Sequence, residues 1–339
     1  MVSGASLPAV VYRLGHLGDV ALLTGVLAHW RETRGLSFVV ATRAANAPLL
    51  AGHPAVADVV ALDDAALKGS AWLREARRLA ALYRGSPLID LHSTLRSRVL
   101  SLVWRGKVRR YPKFALTRRL YARTRADRFR TALEALNVPQ RYALALDETP
   151  PAPGDVVPRL FLSPDEQAAA KTRLAPLTGE RPLVALHPYA THPAKQWPRS
   201  YWLGLTALLA SEGTDWIVVG RDAEPLLPGH EHDLTNATDL RETCAVIQRA
   251  DLLVTSDSGP MHLGTGAGTP VVGLFGPTAR SWGFFPSGPR DRVLELDMAC
   301  RPCSLHGGRP CGTGHRCMTG MTPETVMAAV RGALSPDRA

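Results

Sequence analysis

Short runs of β-branched and apolar residues alternate with longer amphipathic stretches along nearly the whole chain. Residues 9–13, 38–42, 56–62 and 87–92 are four such runs. Each is too short for a buried helix and reads as a buried strand. Between them, spacing of apolar positions by three and four predicts helices over about 20–33 and 71–83, and helices over most of 94–137. The alternation stops at residues 147–158, DETPPAPGDVVP, where four prolines and a glycine exclude regular structure. It then restarts. A helix begins at Ser163 as N-cap with Pro164 at its first position, and strands 182–188, 215–220, 252–256 and 270–275 alternate with helices 200–213, 239–251 and 260–268. Strands alternating with helices form parallel sheets joined by right-handed crossovers. Two such blocks around one linker predict two doubly wound α/β domains, 1–150 and 159–339, facing each other across a cleft.

Length agrees with this division, since 339 residues exceed what one core usually serves. No apolar run approaches the ~20 residues that span a bilayer. The N-terminus lacks a basic stretch followed by an apolar one, so no signal peptide is read and a cytoplasmic location with reduced thiols is expected. Charge changes the picture more. Residues 1–150 hold 23 Lys and Arg against 11 Asp and Glu, while the remainder hold 17 against 19. Thirteen of the basic residues fall between Arg96 and Arg130, with Asp127 as the only acid. Such a local excess suits an anionic partner: a phosphorylated glycolipid, a membrane surface or a nucleic acid. Solvated helix faces rich in arginine are the plainer alternative. Trp104, Tyr111, Phe114, Tyr121 and Phe129 are interleaved with these charges and suit an interfacial surface.

Ligands of doubly wound sheets lie beyond the carboxyl ends of the strands, and four stretches place chemistry there. In YRLGHLGDVALLTG, Gly15 and Gly18 flank the turn after the first strand and Asp19 begins the helix. The pattern is neither the dinucleotide fingerprint nor a phosphate-binding loop with its lysine. Asp19 suits a general base, or a helix-start carboxylate satisfied by the dipole. In HPYATHPAKQWP, Lys195 sits in a proline-bounded loop and suits neutralisation of a diphosphate, or plain surface exposure. In SDSGPMHLGTGAG, Asp257–Gly259 end a strand and Pro260 opens a helix, whose N-terminus suits a phosphate. An ordinary turn with Asp257 as cap fits the same residues, and His262 alone fits a packed core histidine. Finally, Cys300, Cys303, Cys311 and Cys317 place four thiols in eighteen residues. That spacing suits a structural zinc or iron site with no open coordination position; disulfides or unpaired thiols suit it too.

Together these motifs resemble glycosyltransferase family 9, the heptosyltransferases of lipopolysaccharide core assembly, over nearly the whole chain. RLGHLGDVALLTGVL is similar to the family's N-terminal motif, DLHSTLRSRVLS to its acceptor-side segment, HPYATHPAKQWP to its lysine loop, and SDSGPMHLGTGAGTPVVGLFGPT to its signature. The resemblance implies a GT-B fold, an N-terminal acceptor domain and a C-terminal nucleotide-sugar domain. It implies inverting transfer with Asp19 as base and Lys195 at the diphosphate. Donor contacts fall to Gly18, Thr191, Lys195, Asp257, Ser258, Gly259, His262 and Thr278, and acceptor contacts to Arg96, Ser97 and Arg98. Tyr189 and His192 compete with Thr191, and Asp222 with Glu224, for places beside the donor. Gly25 stands where the family usually has proline.

The expected donor is ADP-heptose and the expected acceptor an anionic glycolipid or glycan. No cofactor is expected for catalysis, because no paired-carboxylate metal motif occurs in these stretches. Peripheral contact with the cytoplasmic face of the inner membrane is expected, and no nucleic acid. Two other classes remain open at this point: a nucleic-acid-binding protein with a metal knuckle, and a GT-B epimerase or hydrolase acting on the nucleotide sugar alone.

Overall fold

The computed structural model describes residues 8–335, apart from 178, 180, 304–306, 309 and 310. The first unit comprises residues up to Lys113 together with Val138–Phe161. Its strands are β1 (Ala9–Tyr12), β2 (Phe38–Arg43), β3 (Val56–Leu62), β4 (Leu88–Asp90) and β5 (Val108–Arg110), all parallel, in the order β3-β2-β1-β4-β5. Helix α1 (Leu17–Arg34) follows β1, α2 (Gly69–Leu82) follows β3, and α3 (Leu95–Val103) follows β4. One face of the sheet buries Val10, Tyr12, Val39 and Leu88 against Trp72, Leu79 and Leu100 of α2 and α3. The chain starts at the centre of this sheet, builds outward to β3, then returns to the other side of β1. The order therefore reverses between β1 and β4, where the loops leaving the two strands must part.

Residues 94–137, expected to be mostly helical, also contain β5. It is three residues long and carries two arginines, so it has no strand-like apolar pattern; pairing with β4 makes it a strand. A second departure concerns α4 (Ala115–Thr124) and α5 (Asp127–Glu134), which the linker-based division assigns to the N-terminal domain. Phe114–Asn137 pack within the second unit instead, along with the chain from Leu162 onward. Tyr121 and Leu133 bury themselves against Trp282, flanked by Phe114, Phe129 and Phe284. The aromatic residues expected at an interfacial surface are thus packing residues. Trp104 and Tyr111 are buried as well, Trp104 with its indole N–H donated to the Ser86 carbonyl at 2.8 Å. Helix α6 (Val138–Ala143) returns the chain to the first unit.

The second unit repeats the plan with β6 (Leu183–His187), β7 (Asp215–Val218), β8 (Leu252–Ser256), β9 (Val271–Phe275) and β10 (Arg292–Glu295), parallel in the order β10-β9-β8-β6-β7. Helices α7 (Pro164–Leu174), α8 (Arg199–Ser211), α9 (Leu240–Arg249), α10 (Gly259–Ala267), α11 (Arg316–Thr319) and α12 (Pro323–Leu334) surround it. Ser163 caps α7 in a reciprocal box with Glu166, as its sequence predicts. Here the order reverses between β6 and β8. Both units are doubly wound, the α/β class expected from the sequence.

Candidate active site

In the first unit the reversal brings together the loops after β1 and β4. Arg13 leaves β1, is buried, and donates to the Leu91 carbonyl at 2.8 Å. Its guanidinium also pairs with Asp19 at 2.5 Å. Asp19 is the third residue of α1; its carboxylate turns back to accept the His16 backbone N–H at 3.0 Å. This return passes over Gly15, where a Cβ would lie 2.0 Å from Asp19 Oδ2, so only glycine fits. The carboxyl side chain is 14% exposed. Burial works to raise its pKa, but the Arg13 charge and hydrogen bond, followed by His16, hold it below the usual aspartate range. His92 stands beside Arg13, with the Nδ1 atom 3.4 Å from the guanidinium. Lys113 donates to the His92 and Ser93 carbonyls at 3.2 Å.

The second unit does the same with different residues. Lys195, in the loop after β6, donates to Asp257 Oδ2 at 2.7 Å and to the Asp257 carbonyl at 3.2 Å. Thr278, after β9, donates its hydroxyl to the same Oδ2 at 2.6 Å. Both Lys195 and Asp257 are largely buried, at 15% and 11% side-chain exposure. The Asp257 carboxylate is thereby committed to holding Lys195 and Thr278. That makes it a positioning group, since a second anion would repel it. Ser258 precedes α10 without capping it, and its hydroxyl lies 3.3 Å from Thr255 and 3.5 Å from His187. The first turn of α10, from Gly259, leaves the positive end of the helix at this edge of the sheet. His262 is buried within α10. A cavity of about 610 Å³ opens at the opposite, amino-terminal edge, lined by Arg181, Asp251, Pro270 and Arg290. It is remote from Lys195, and the strand-end rule gives it no role in the chemistry.

Other expected residues separate. Gly18 is buried in the first turn of α1, and Thr191 is exposed on its loop. Tyr189 turns into the core, where its hydroxyl accepts the Leu226 N–H at 2.9 Å and meets Thr235 at 2.6 Å. Asp222 accepts the Glu224 N–H at 3.0 Å, tightening its own loop. Among the acceptor-side residues Arg98 is exposed, but Ser97 is fully buried and spent on the start of α3: it accepts from Thr94 N–H and donates to the Thr94 carbonyl.

Arg301 is absent from the sequence-based set, and it grips the loop that carries Thr278. Its guanidinium donates to the carbonyls of Gly276, Thr278 and Leu296 and pairs with Glu295 at 2.7 Å, with 7% of the side chain exposed. The Cys303 N–H donates to the intervening Pro277 carbonyl at 2.8 Å. Three successive carbonyls of the loop are therefore held by the cysteine-rich segment. Gly307, farther along it, lies so close to Lys195 that a Cβ would come within 3.1 Å of the lysine stem. An arginine between two cysteines carries no sequence signal of this role; only the fold supplies the carbonyls.

Two of the four thiols of that segment, Cys303 and Cys317, feel their neighbours. Burial, then the charges of Cys303, Cys311 and Cys300, push Cys317 up. Burial and then Cys300 push Cys303 up. Cys311 is held down by the Thr313 hydroxyl and by backbone N–H groups, including that of His315 at 3.1 Å. Among the described residues no three His, Cys, Asp or Glu side chains converge as a ready metal cage.

Comparison with known proteins adds the following. The sequence pattern of glycosyltransferase family 9 (heptosyltransferase) matches residues 87–308, from β4 to the cysteine-rich segment. Lipooligosaccharide heptosyltransferase 2 of Campylobacter jejuni serotype O:6 is 29% identical over 174 residues, 47% of this chain and 54% of that protein. The chain spans about half the length of the curated relatives it matches. Among solved structures, the E. coli ADP-heptose lipopolysaccharide heptosyltransferase II superposes with a TM-score of 0.71 at 21% identity, covering 96% of this chain and 98% of the other. The iron-containing dodecameric glycosyltransferase TibC of enterotoxigenic E. coli gives 0.60 at 16% identity, covering 97% and 77%. Both likenesses are of fold, and the fold is GT-B.

Proposed function

The chain belongs to glycosyltransferase family 9, the heptosyltransferases, and from that premise we propose that it moves a sugar, heptose first, from an ADP-activated donor to a lipopolysaccharide-core or related glycan acceptor. The observation that carries this reading is the Lys195–Asp257–Thr278 cluster at the β6/β8 reversal, beside the N-terminus of α10. A cation and a helix start at one strand edge suit a diphosphate. The likeness to lipooligosaccharide heptosyltransferase 2 of C. jejuni and to the E. coli ADP-heptose lipopolysaccharide heptosyltransferase II supports the choice of donor.

In this mechanism the C-terminal unit holds ADP and the N-terminal unit supplies the base. Asp19 takes the proton of an acceptor hydroxyl while its oxygen bonds to the anomeric carbon and the bond from that carbon to the diphosphate oxygen breaks, inverting the centre. Arg13 lowers the basicity of Asp19, so the proton passes to it only as bonding to the anomeric carbon makes the acceptor hydroxyl acidic. Lys195, held by Asp257 through two of its three N–H donors, turns the third to the phosphates and neutralises the charge they gain. Such positioned donors are commonly worth ~10²–10³ in rate. Thiols at Cys300, Cys303, Cys311 and Cys317 are by their chemistry a donor set for a thiophilic ion, although in this structure they do not converge as a ready cage. In this reading they hold a structural zinc or iron that stiffens the segment bracing Thr278 and Lys195. The acceptor is an anionic glycolipid, met at the cytoplasmic face of the inner membrane. In this reading the contact is peripheral, and among the described residues no helix is long and apolar enough to cross a bilayer.

The test uses ADP-heptose and a truncated core acceptor with Asp19→Ala and Lys195→Ala. Asp19→Ala is expected to abolish transfer with ADP affinity unchanged, and Lys195→Ala to weaken ADP and slow transfer by ~10²-fold or more. Equal loss of transfer and ADP binding in Asp19→Ala would move that residue into the donor site. A product of retained anomeric configuration would overturn the mechanism.

A further inference from the structure

Helix α3 presents an unusual outward face. Its buried side, Ser97 and Leu100 with Val99 and Val103 partly covered, packs in the first unit's core. The opposite side carries Leu95, Arg98 and Leu102, at helical spacings of three and four, and Arg105 follows one residue past the C-cap. Leu95 is 80% exposed and Leu102 84%. They are the two most exposed large apolar side chains among the described residues. No acidic residue occurs between Asp90 and Asp127. Arg110 reaches back to Asp90, whereas Arg98, Arg105, Lys107 and Arg109 pair with no carboxylate among the described residues.

Leucines on a water-facing helix side cost solubility and gain nothing from a polyanion in solution. Arginines without acids gain nothing from an apolar protein pocket. The two together suit one surface, an anionic bilayer, whose headgroups take the arginines while its acyl boundary takes the leucines. Single-stranded nucleic acid would call for exposed stacking aromatics, and the aromatic residues of this segment are buried or partly buried in packing, while a duplex, held by its phosphates, would leave the two leucines without a partner. We propose that the Leu95–Arg98–Leu102 face of α3, continued by Arg105, docks on an anionic lipid bilayer. This names the membrane contact of the function proposed above and rests on that reading for its setting. The docking itself is measured without donor or acceptor, so either can fail alone.

The experiment is co-flotation of the purified full chain with vesicles of phosphatidylcholine alone, or of phosphatidylcholine mixed with phosphatidylglycerol. Wild-type protein is expected on the anionic vesicles only, and less of it as salt rises. Arg105→Gln is expected to weaken partition about fivefold, the worth of one basic residue near such a surface. Leu95→Ser with Leu102→Ser is expected to weaken it at least about tenfold, with melting temperature as the check on folding. In Leu102→Trp, quenching by brominated acyl chains is expected to exceed that of wild type. The proposal is overturned if wild type ignores anionic vesicles, or if Leu102→Trp gains no such quenching. It is equally overturned if the leucine pair is silent while the arginine matters, which would make the face a general polyanion patch.

Discussion

Asp19 and Asp257 are both carboxylates at a topological reversal, yet their partners give them different work. Asp19 keeps one guanidinium and one backbone N–H, and Asp257 is shared between a lysine and a threonine. Arg301 acts one step further out, through the backbone that presents Thr278. Arg301→Lys keeps the charge but loses the fork, so donor KM is expected to rise about tenfold while kcat changes little; Arg301→Ala should go further. ADP titration alongside steady-state rates checks this, and a matched fall in kcat would make Arg301 part of the chemistry. Two histidines, His92 partly buried and His187 buried, are expected to contribute to the loss of stability in acid. Burial, then Arg13, pulls His92 down to about 3, and burial pulls His187 down to about 4, from 6.5. Both stay neutral in the folded chain while the unfolded chain takes up protons below about pH 6.5. The unfolded state therefore gains protons first as pH falls. Stability is full above that value and is lost toward pH 4 for His187, by up to ~1.4 kcal/mol per unit. His187→Gln is expected to flatten the fall between pH 6.5 and 4 in a series of melting curves; an unchanged slope would show that other groups set it.

Among the elements, α1 depends on a close approach that sequence alone leaves unexplained. At Gly25 a Cβ would lie 2.2 Å from the Val157 carbonyl and 2.5 Å from that of Val156. The proline-rich connection thus lies against the helix, and Arg159 N–H donates to Thr24 one residue earlier at 2.9 Å. The backbone of the connection here occupies the space that a side chain at position 25 would need. Gly25→Ala is expected to destabilise the chain by about 1–3 kcal/mol despite the better helix propensity of alanine. Denaturant unfolding checks this, and a neutral or stabilising result would mean that the connection moves aside easily. Most of the long strands and helices were legible because period and caps agree; α12 was not among the elements read, although Thr322 caps it and Pro323 opens it. β5 and β10 were not legible, because an edge strand four residues long or shorter and rich in charge has no periodic pattern to read.

For the whole molecule, the excursion of residues 114–137 is the largest difference between reading and structure. Its arginines suggested a surface and its aromatics an interface, but the aromatics meet Trp282, a residue more than 140 positions farther along. Trp282→Ala removes the centre of that cluster. It is expected to cost about 3–5 kcal/mol and to open α4 and α5 to trypsin at their many arginines while the rest of the second unit resists. Uniform digestion would show that the excursion does not unfold by itself. The sequence by itself determined the two doubly wound units and the place of Asp19, Lys195 and Asp257 in the loops and helix starts beyond strand ends, because hydrophobic period and strand-end position are local properties. Tertiary structure alone decided which groups meet: that Arg13 holds Asp19, that Asp257 holds Lys195, that Arg301 grips the Thr278 loop, and that the aromatics of the basic segment turn inward while its leucines stay out. Those pairings join residues from six to more than 100 positions apart, and the order of strands in each open sheet, with the loops that leave it, brings them together.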